Sequence, residues 1–237
     1  MQELKNVAII TARGGSKRIP RKNLRDFLGK PIIAYSVRAA LDAKIFDEVM
    51  VSTDDAEIAE VARSLGAVVP FMRSAKNSDD YSTTAEVLIE VLETYRRHGK
   101  AFENYCCIYP TAPFVTPEKL RHAHGLMTEK QATSVLPVVR FGYPIQRALQ
   151  VKDELLSMID IQYINSRSQD LTPAYHDTGQ FYFGRTDKLL ATRQIFSDRT
   201  YPVVVSETEV QDIDHEDDWQ IAEIKYRFLL EKKAKTT

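Results

Sequence analysis

Short apolar runs alternate with helically spaced apolar positions along most of the chain. Val7-Ala8-Ile9-Ile10 is a strand-sized run with no polar position, the pattern of a strand buried on both faces. Pro31 sits where a first helical turn would open, and Ile32, Ile33, Tyr35, Ser36, Val37, Ala40 and Leu41 follow at helical spacing. Val49 to Ser52 reads as the next strand. Asp54 or Asp55 can cap a helix that carries Ile58, Val61, Ala62 and Leu65 and stops at Gly66. Ala67 to Pro70 reads as a third short strand, and a helix from about Thr83 to His98 ends at Gly99. Tyr105 to Tyr109 is a fully apolar strand closed by Pro110, Pro117 opens another helix, and Thr133 to Val139 is β-branched and apolar. The last helix is expected from Asp217 to about Leu230, with a frayed tail from Glu231 onward.

This β-α-β-α rhythm predicts an α/β fold: an open, mostly parallel sheet with helices on both faces. Ligands of such sheets bind beyond the carboxyl ends of the strands, where the strand order reverses. The loops after Ile10, Val51, Tyr109 and Val139 are therefore the places to look. The rhythm breaks from about residue 141 to 176. That polar stretch, with Tyr, Gln and Arg between short apolar runs, reads as an insert within one domain spanning 1–237, either a sugar-covering lobe or a dimerisation arm.

Composition narrows the setting. The chain has 237 residues, 43% hydrophobic and 27% charged, enough for one sizeable core without staples. Its only thiols, Cys106 and Cys107, are adjacent in an apolar run and read as small core residues in a reducing compartment. No run approaches the roughly 20 apolar residues that span a bilayer, and the N-terminus has no secretory pattern, so a cytoplasmic protein without membrane contact is expected. A formal charge of −1 offers no electropositive surface for nucleic acid.

Charge clusters locally instead. Thr11 to Asn23 packs five cations (Arg13, Lys17, Arg18, Arg21, Lys22) and the pair Gly14-Gly15 into thirteen residues directly after the first strand. Glycines let backbone N–H groups approach an anion, and Arg and Lys add charge and directed donors. The P-loop spacing is missing, and so is the Gly-x-Gly-x-x-Gly fingerprint of dinucleotide oxidoreductases. A phosphate-binding loop of another kind is expected, with a solvated basic turn as the alternative.

The stretch Ala12-Arg13-Gly14-Gly15-Ser16-Lys17-Arg18-Ile19-Pro20-Arg21-Lys22-Asn23 resembles the signature of the acylneuraminate cytidylyltransferases, the CMP-sialic acid synthetase family. The likeness continues, in family order, through Gly29 to Ser36, Val51 to Asp55, Phe71-Met72-Arg73, Asp80 to Thr84, Pro110-Thr111-Ala112-Pro113 and Asp212-Ile213-Asp214. It implies an enzyme that joins an acidic nine-carbon sugar to CMP from CTP. It implies further that Ala12 to Ser16, Lys22 and Asn23 hold the nucleotide, with Arg13 and Lys22 on its phosphates. It places Arg73, Ser82 and Thr84 at the cytosine edge, a role that Arg and short hydroxyls can fill chemically. Ser82 or Thr83 can equally cap the next helix. Lys17, Arg18 and Arg21 stay open between phosphate and solvent.

Asp212 and Asp214 alternate in an extended segment, so their carboxylates share a side and suit Mg²⁺ beside a triphosphate. The resemblance implies the same metal pair; the alternative is that Asp214 caps the last helix. The expected catalytic set is Arg13, Lys22, Asp212 and Asp214, and no residue stands out as a general base.

For the sugar, the resemblance implies Arg167 on a carboxylate, and the candidate contacts also include Tyr109, Gln146, Arg147, His176 and Gln180. A structural hydrogen bond at the start of the late strand is the other reading of His176. The sialic acid enzymes have Gln where this chain has Tyr109, and Asn-Gly-Ala where it has Thr178-Gly179-Gln180. Ile108 to Pro113, Tyr143 to Arg147 and Tyr175 to Tyr182 resemble the pseudaminic acid cytidylyltransferases more closely. Pseudaminic acid is the expected substrate. The alternatives are sialic, legionaminic or keto-deoxy-octonic acid, and more remotely a non-catalytic nucleotide-sugar binding module. The family's dimer arm makes a homodimer the expected assembly.

Overall fold

A computed structural model describes residues 2–79 and 81–235. In chain order the elements are β1 (Gln2–Thr11), β2 (Asp26–Phe27), β3 (Lys30–Pro31), α1 (Ile33–Ala43), β4 (Glu48–Ser52), α2 (Ala56–Ser64), α3 (Thr84–Arg97), β5 (Lys100–Ile108) and α4 (Pro117–Glu129). They continue with β6 (Ser134–Arg140), β7 (Leu149–Lys152), β8 (Leu155–Met158), β9 (Tyr175–Asp177), β10 (Phe181–Arg185), α5 (Thr186–Thr192), β11 (Thr200–Val204) and α6 (Glu216–Ala234).

The main sheet runs β11-β6-β10-β5-β1-β4, with β9 also paired to β6. β1 is parallel to β4 and β5, and β11 to β6, while β10 lies antiparallel between β5 and β6. The sheet is thus mostly parallel, as expected. Alternation along β1 supplies two cores. Ala8 and Ile10 face Ile33, Val37, Ala62, Leu120 and Ala123 of α1, α2 and α4. Val7 and Ile9 face Leu88, Leu92 and Tyr95 of α3 and Leu189 of α5. Each fully buried Val, Leu or Ile among them contributes about 1.5–3 kcal/mol relative to exposure. A third cluster joins Ile19, Phe27, Ile32, Phe114 and Ile213 to Trp219 and Ala222 of α6.

The chain leaves β1 through α1 toward β4 on one side, and reaches β5 on the other side from α3, which covers the opposite face. The strand order therefore reverses at the carboxyl ends of β1 and β5, which opens a crevice there.

Several expectations need correction. Pro31 does not open α1: it pairs with Asp26 in the β2–β3 hairpin, and the helix starts at Ile33. Ala67 to Pro70 forms only a single bridge, Val68 with Met50, because Pro70 ends the pairing almost at once. The stretch after Leu230 does not fray within the described residues: α6 continues to Ala234, and Lys235 still donates its N–H to the Glu231 carbonyl. Cys106 and Cys107 are free and fully buried in β5, and burial pushes both thiols up.

The break between β6 and β9 holds the β7–β8 hairpin and short 3₁₀ turns. Leu149, Val151, Leu155, Leu156, Ile159 and Ile161 there are more than half exposed.

Candidate functional site

The loop after β1 is shaped by its own residues. Ala12 is buried and still pairs with the β4 end, donating to the Ser52 carbonyl at 2.9 Å. Asn23, also buried, donates its amide to the Arg13 carbonyl at 2.8 Å and so ties the loop's end to its beginning. Gly14 donates its N–H to Asp54 Oδ1 at 2.9 Å. A Cβ at Gly14 would lie 2.8–2.9 Å from atoms of the Asp55 side chain, so glycine is required for that approach. At Gly15 an added Cβ would meet nothing within 4 Å. Ile19 is buried against α6 and anchors the loop's middle. Arg25 clamps its end, with a bidentate pair to Glu216 at 2.6 and 2.7 Å and its guanidinium 4.5 Å from the Trp219 ring centre.

Asp212 and Asp214 come to this loop from far along the chain. Ile213 between them is buried in the α6 cluster, so the two carboxylates project the other way. Asp214 is not the helix cap: Asp218 Oδ2 accepts from the N–H groups of Asp214 and His215 at 3.0 and 2.8 Å. The Asp214 carboxylate instead meets Arg18 at 2.8 Å and the Lys22 ammonium at 3.8 Å. Lys22 also donates to the Ile213 carbonyl. Burial, and then the charge of Asp214, holds the Asp212 carboxyl above the usual range, with Lys22 pulling it back. Burial lowers Lys22, with Asp214 and Asp212 opposing that shift.

Between β1 and β5 lies a cleft of about 480 Å³ lined by Thr11, Arg13, Ser16, Lys17, Arg18, Lys22, Asn23, Tyr109, Pro110 and Thr111. Its size falls in the range of ligand pockets, and four cations stand on its wall.

A cytidylyltransferase family profile matches residues 7–232. The chain belongs to the cytidylyltransferase family. It is 43% identical to a pseudaminic acid cytidylyltransferase of Campylobacter jejuni, over 94% of this chain and 97% of the relative. It is 34% identical to a CMP-N,N'-diacetyllegionaminic acid synthase of Legionella pneumophila, over 92% and 94%. In fold it resembles a CMP:2-keto-3-deoxy-manno-octonic acid synthetase solved with CTP, at a TM-score of 0.67 and 20% identity over 96% of this chain and 99% of that one.

This cytidylyltransferase is a CTP-dependent nucleotidyltransferase. Of the residues expected on the nucleotide, the structure gathers Arg13, Ser16, Lys22 and Asn23 in the cleft, with Ala12, Gly14 and Gly15 in the same loop. Arg13 also reaches the Asp79 carbonyl at 3.0 Å, ahead of α3. Arg73 does not line the cleft. The residue is 9% exposed, and its guanidinium donates to Ser52 Oγ at 3.0 Å and the Ser52 carbonyl at 2.6 Å. The Ser82 hydroxyl lies 2.7 Å from Asp79 Oδ1 and 3.1 Å from the Lys76 carbonyl, shaping its own loop. Thr83 caps α3 through a reciprocal pair with Glu86. The Thr84 hydroxyl adjoins the cleft through Tyr109, whose phenol it meets at 2.9 Å.

The sugar candidates divide. Tyr109 lines the cleft, and its ring packs edge-on against Tyr182 with centres 5.7 Å apart. Gln180 is buried beside it; its amide donates to the Glu209 carbonyl at 2.7 Å, its own carbonyl accepts from the Tyr109 N–H, and its Oε1 has no partner among the described residues. Gly179, at φ 59°, brings the backbone close to the Asp212 carboxylate. Gln146, Arg147 and Arg167 sit in the insert, away from this cleft: Gln146 donates to the Thr172 carbonyl at 2.8 Å, Arg147 approaches Ser168 at 3.4 Å, and Arg167 is exposed. His176 makes a local contact, Nδ1 to the Asp177 carbonyl at 2.8 Å, and its ring packs on Phe141.

Sequence reasoning named Asp54 only as a possible cap. Asp55 caps α2, accepting from Glu57 and Ile58, and Asp54 is released to hold Gly14. Thr11, Pro110 and Thr111 went unnamed as lining residues. Their position at the ends of adjacent parallel strands was the available signal.

Proposed function

We propose that this chain transfers CMP from CTP to the anomeric hydroxyl of pseudaminic acid and releases pyrophosphate. Tyr109 carries the substrate assignment. It stands at the end of β5, inside the cationic cleft, with its phenol engaged by Thr84 and its ring against Tyr182. That wall is bulky and partly apolar. It suits a deoxygenated sugar with two acylated amines better than one with a hydroxyl-rich glycerol tail. The 43% identity to pseudaminic acid cytidylyltransferases, against 34% for the legionaminic relative, supports the same choice.

The reaction joins the sugar's anomeric oxygen to the α-phosphorus as the bond to pyrophosphate breaks. It asks for alignment and charge neutralisation rather than covalent help. Arg13 and Lys22 would face the phosphates and Asn23 would hold the loop that presents them. Thr84, against the Tyr109 phenol, would stand where the base lies, and Arg73 and Ser82 would act there through the loops they hold. Mg²⁺ fits the donor set: Asp212 and Asp214 offer two hard oxygen donors whose mutual repulsion a cation relieves, and this ion keeps water and phosphate as its other ligands. Bound there, it would supply positive charge to the phosphate oxygens. Gln146, Arg147, Arg167 and His176 lie off the cleft of their own chain and would serve the sugar only where the insert reaches a cleft in the assembly proposed below, while Gln180 would set the backbone under Tyr109. Incubation with CTP, Mg²⁺ and a panel of nonulosonic acids tests the assignment. Pyrophosphate release should be fastest with pseudaminic acid, and CTP binding without release would turn the reading toward a binding module.

The exposed apolar residues of the β7–β8 hairpin support a symmetric homodimer built through this insert, which spans about residues 141–176. Sedimentation at micromolar concentration should show a dimer, and a monomer there removes the arm assignment. Two free buried thiols support a reducing, cytoplasmic setting. Among the described residues no helix is long and apolar enough to cross a membrane.

A further inference from the structure

The five cations of the loop are not equivalent. Arg21 is paired with Glu57 on α2, outside the cleft, and Arg25 just beyond the loop is locked between Glu216 and Trp219. Arg18 differs from both. It lines the cleft with Arg13, Ser16, Lys17 and Lys22, yet its guanidinium rests on Asp214 Oδ1 through a single contact at 2.8 Å. Both partners are open to water, with side chains 57% and 39% exposed. The same oxygen also faces the Lys22 ammonium at 3.8 Å. One carboxylate oxygen of the proposed metal pair is therefore already served by two cations.

Such an arrangement is exchangeable. An exposed single-contact ion pair is weak, whereas a guanidinium binds phosphate oxygens through two parallel bonds, and a triphosphate carries several negative charges. We propose that Arg18 is a phosphate-binding residue that occupies Asp214 until the nucleotide draws it off, which frees Asp214 to take a divalent cation. The proposal rests on the reading of Asp212 and Asp214 as the metal ligands. Arg18 thus competes with the metal in the free protein and cooperates with the nucleotide in the complex. Nucleotide and metal each strengthen the other's binding by the same factor, and Arg18 supplies part of that factor.

Two binding measurements on the whole protein test this, neither of which needs turnover. Mn²⁺ affinity without nucleotide is read by electron paramagnetic resonance, and CTP affinity in EDTA by calorimetry. Arg18→Gln should raise Mn²⁺ affinity about threefold to fivefold and lower CTP affinity by about the same factor, as an exposed ion pair allows. Arg18→Lys, which keeps the charge, should hold Mn²⁺ affinity near that of the wild type. A merely structural role moves both affinities down together, and that result, or an unchanged Mn²⁺ affinity in Arg18→Gln, overturns the proposal. Asp214→Asn separates the two layers. If it loses CTP-dependent Mn²⁺ binding while Arg18→Gln gains nothing, only the Arg18 exchange is wrong. If it keeps that binding, the metal assignment falls and the exchange with it.

Discussion

Asp214→Asn should lower kcat/KM by at least about a hundredfold, roughly 2.7 kcal/mol of transition-state stabilisation, while the protein stays folded. The substitution keeps the side chain's size and removes its charge. Folding is spared because the segment is held by other atoms: Ile213 is buried against Trp219, the Asp214 and His215 N–H groups are bonded to Asp218, and Lys225 donates to the Val210 carbonyl at 2.6 Å. Chemistry is not spared, because Arg18 and Lys22 lose their shared partner and the proposed Mg²⁺ site loses one of its two carboxylates. Asp212→Asn should act in the same direction. Steady-state kinetics over a range of Mg²⁺ concentrations, beside a thermal melt, check this. Near-wild-type turnover by Asp214→Asn at limiting Mg²⁺ would show that the metal is held elsewhere.

Gly184→Ala should destabilise the fold by about 2 kcal/mol, with a fall in Tm of about 4–8 °C for a chain of this size. Gly184 on β10 lies directly opposite Tyr105 on β5, and the tyrosine ring covers it. An added Cβ would meet the Tyr105 hydroxyl at 2.6 Å and the ring at 2.7 and 2.9 Å. Tyr105 cannot swing away cheaply, being 1% exposed and packed with Leu88, Leu92 and Phe102. The strain falls on the junction between β5 and β10, whose far ends carry Tyr109 and Gln180. A differential melt that places the variant within a degree of the wild type would show that the ring yields.

What could be read from the sequence follows from what is local. Val7 to Ile10, Val49 to Ser52 and Tyr105 to Ile108 are apolar at every or nearly every position because their strands have helices on both faces, and so they announce parallel strands without any partner being known. The loop after β1 was legible for a similar reason: glycines and cations concentrated in one short segment, at the end of a predicted strand, carry their meaning together. The antiparallel entry of β10 between β5 and β6 was not legible, since nothing in Phe181 to Arg185 states its direction. Pro31 was misread because a proline that opens a helix and one on the edge of a hairpin differ only in what pairs with them. Arg73 looked free to face a base, but Ser52, far back in the chain, takes its guanidinium. The Arg18–Asp214 pair joins the two ends of the chain and leaves no mark in either segment alone. Gln146, Arg147 and Arg167 show the same limit from the other side: a single chain does not bring them to the cleft beside the loop after β1.

The central claim is a cytidylyl transfer whose acceptor is chosen at Tyr109. Competition between pseudaminic acid and N-acetylneuraminic acid in one reaction with CTP and Mg²⁺ tests it most directly, because both sugars then meet the same enzyme, metal and nucleotide. The ratio of the two CMP-sugars gives the ratio of kcat/KM values. Pseudaminic acid should be preferred by at least about tenfold, equivalent to roughly 1.4 kcal/mol of transition-state preference. Equal or better use of N-acetylneuraminic acid would contradict the account.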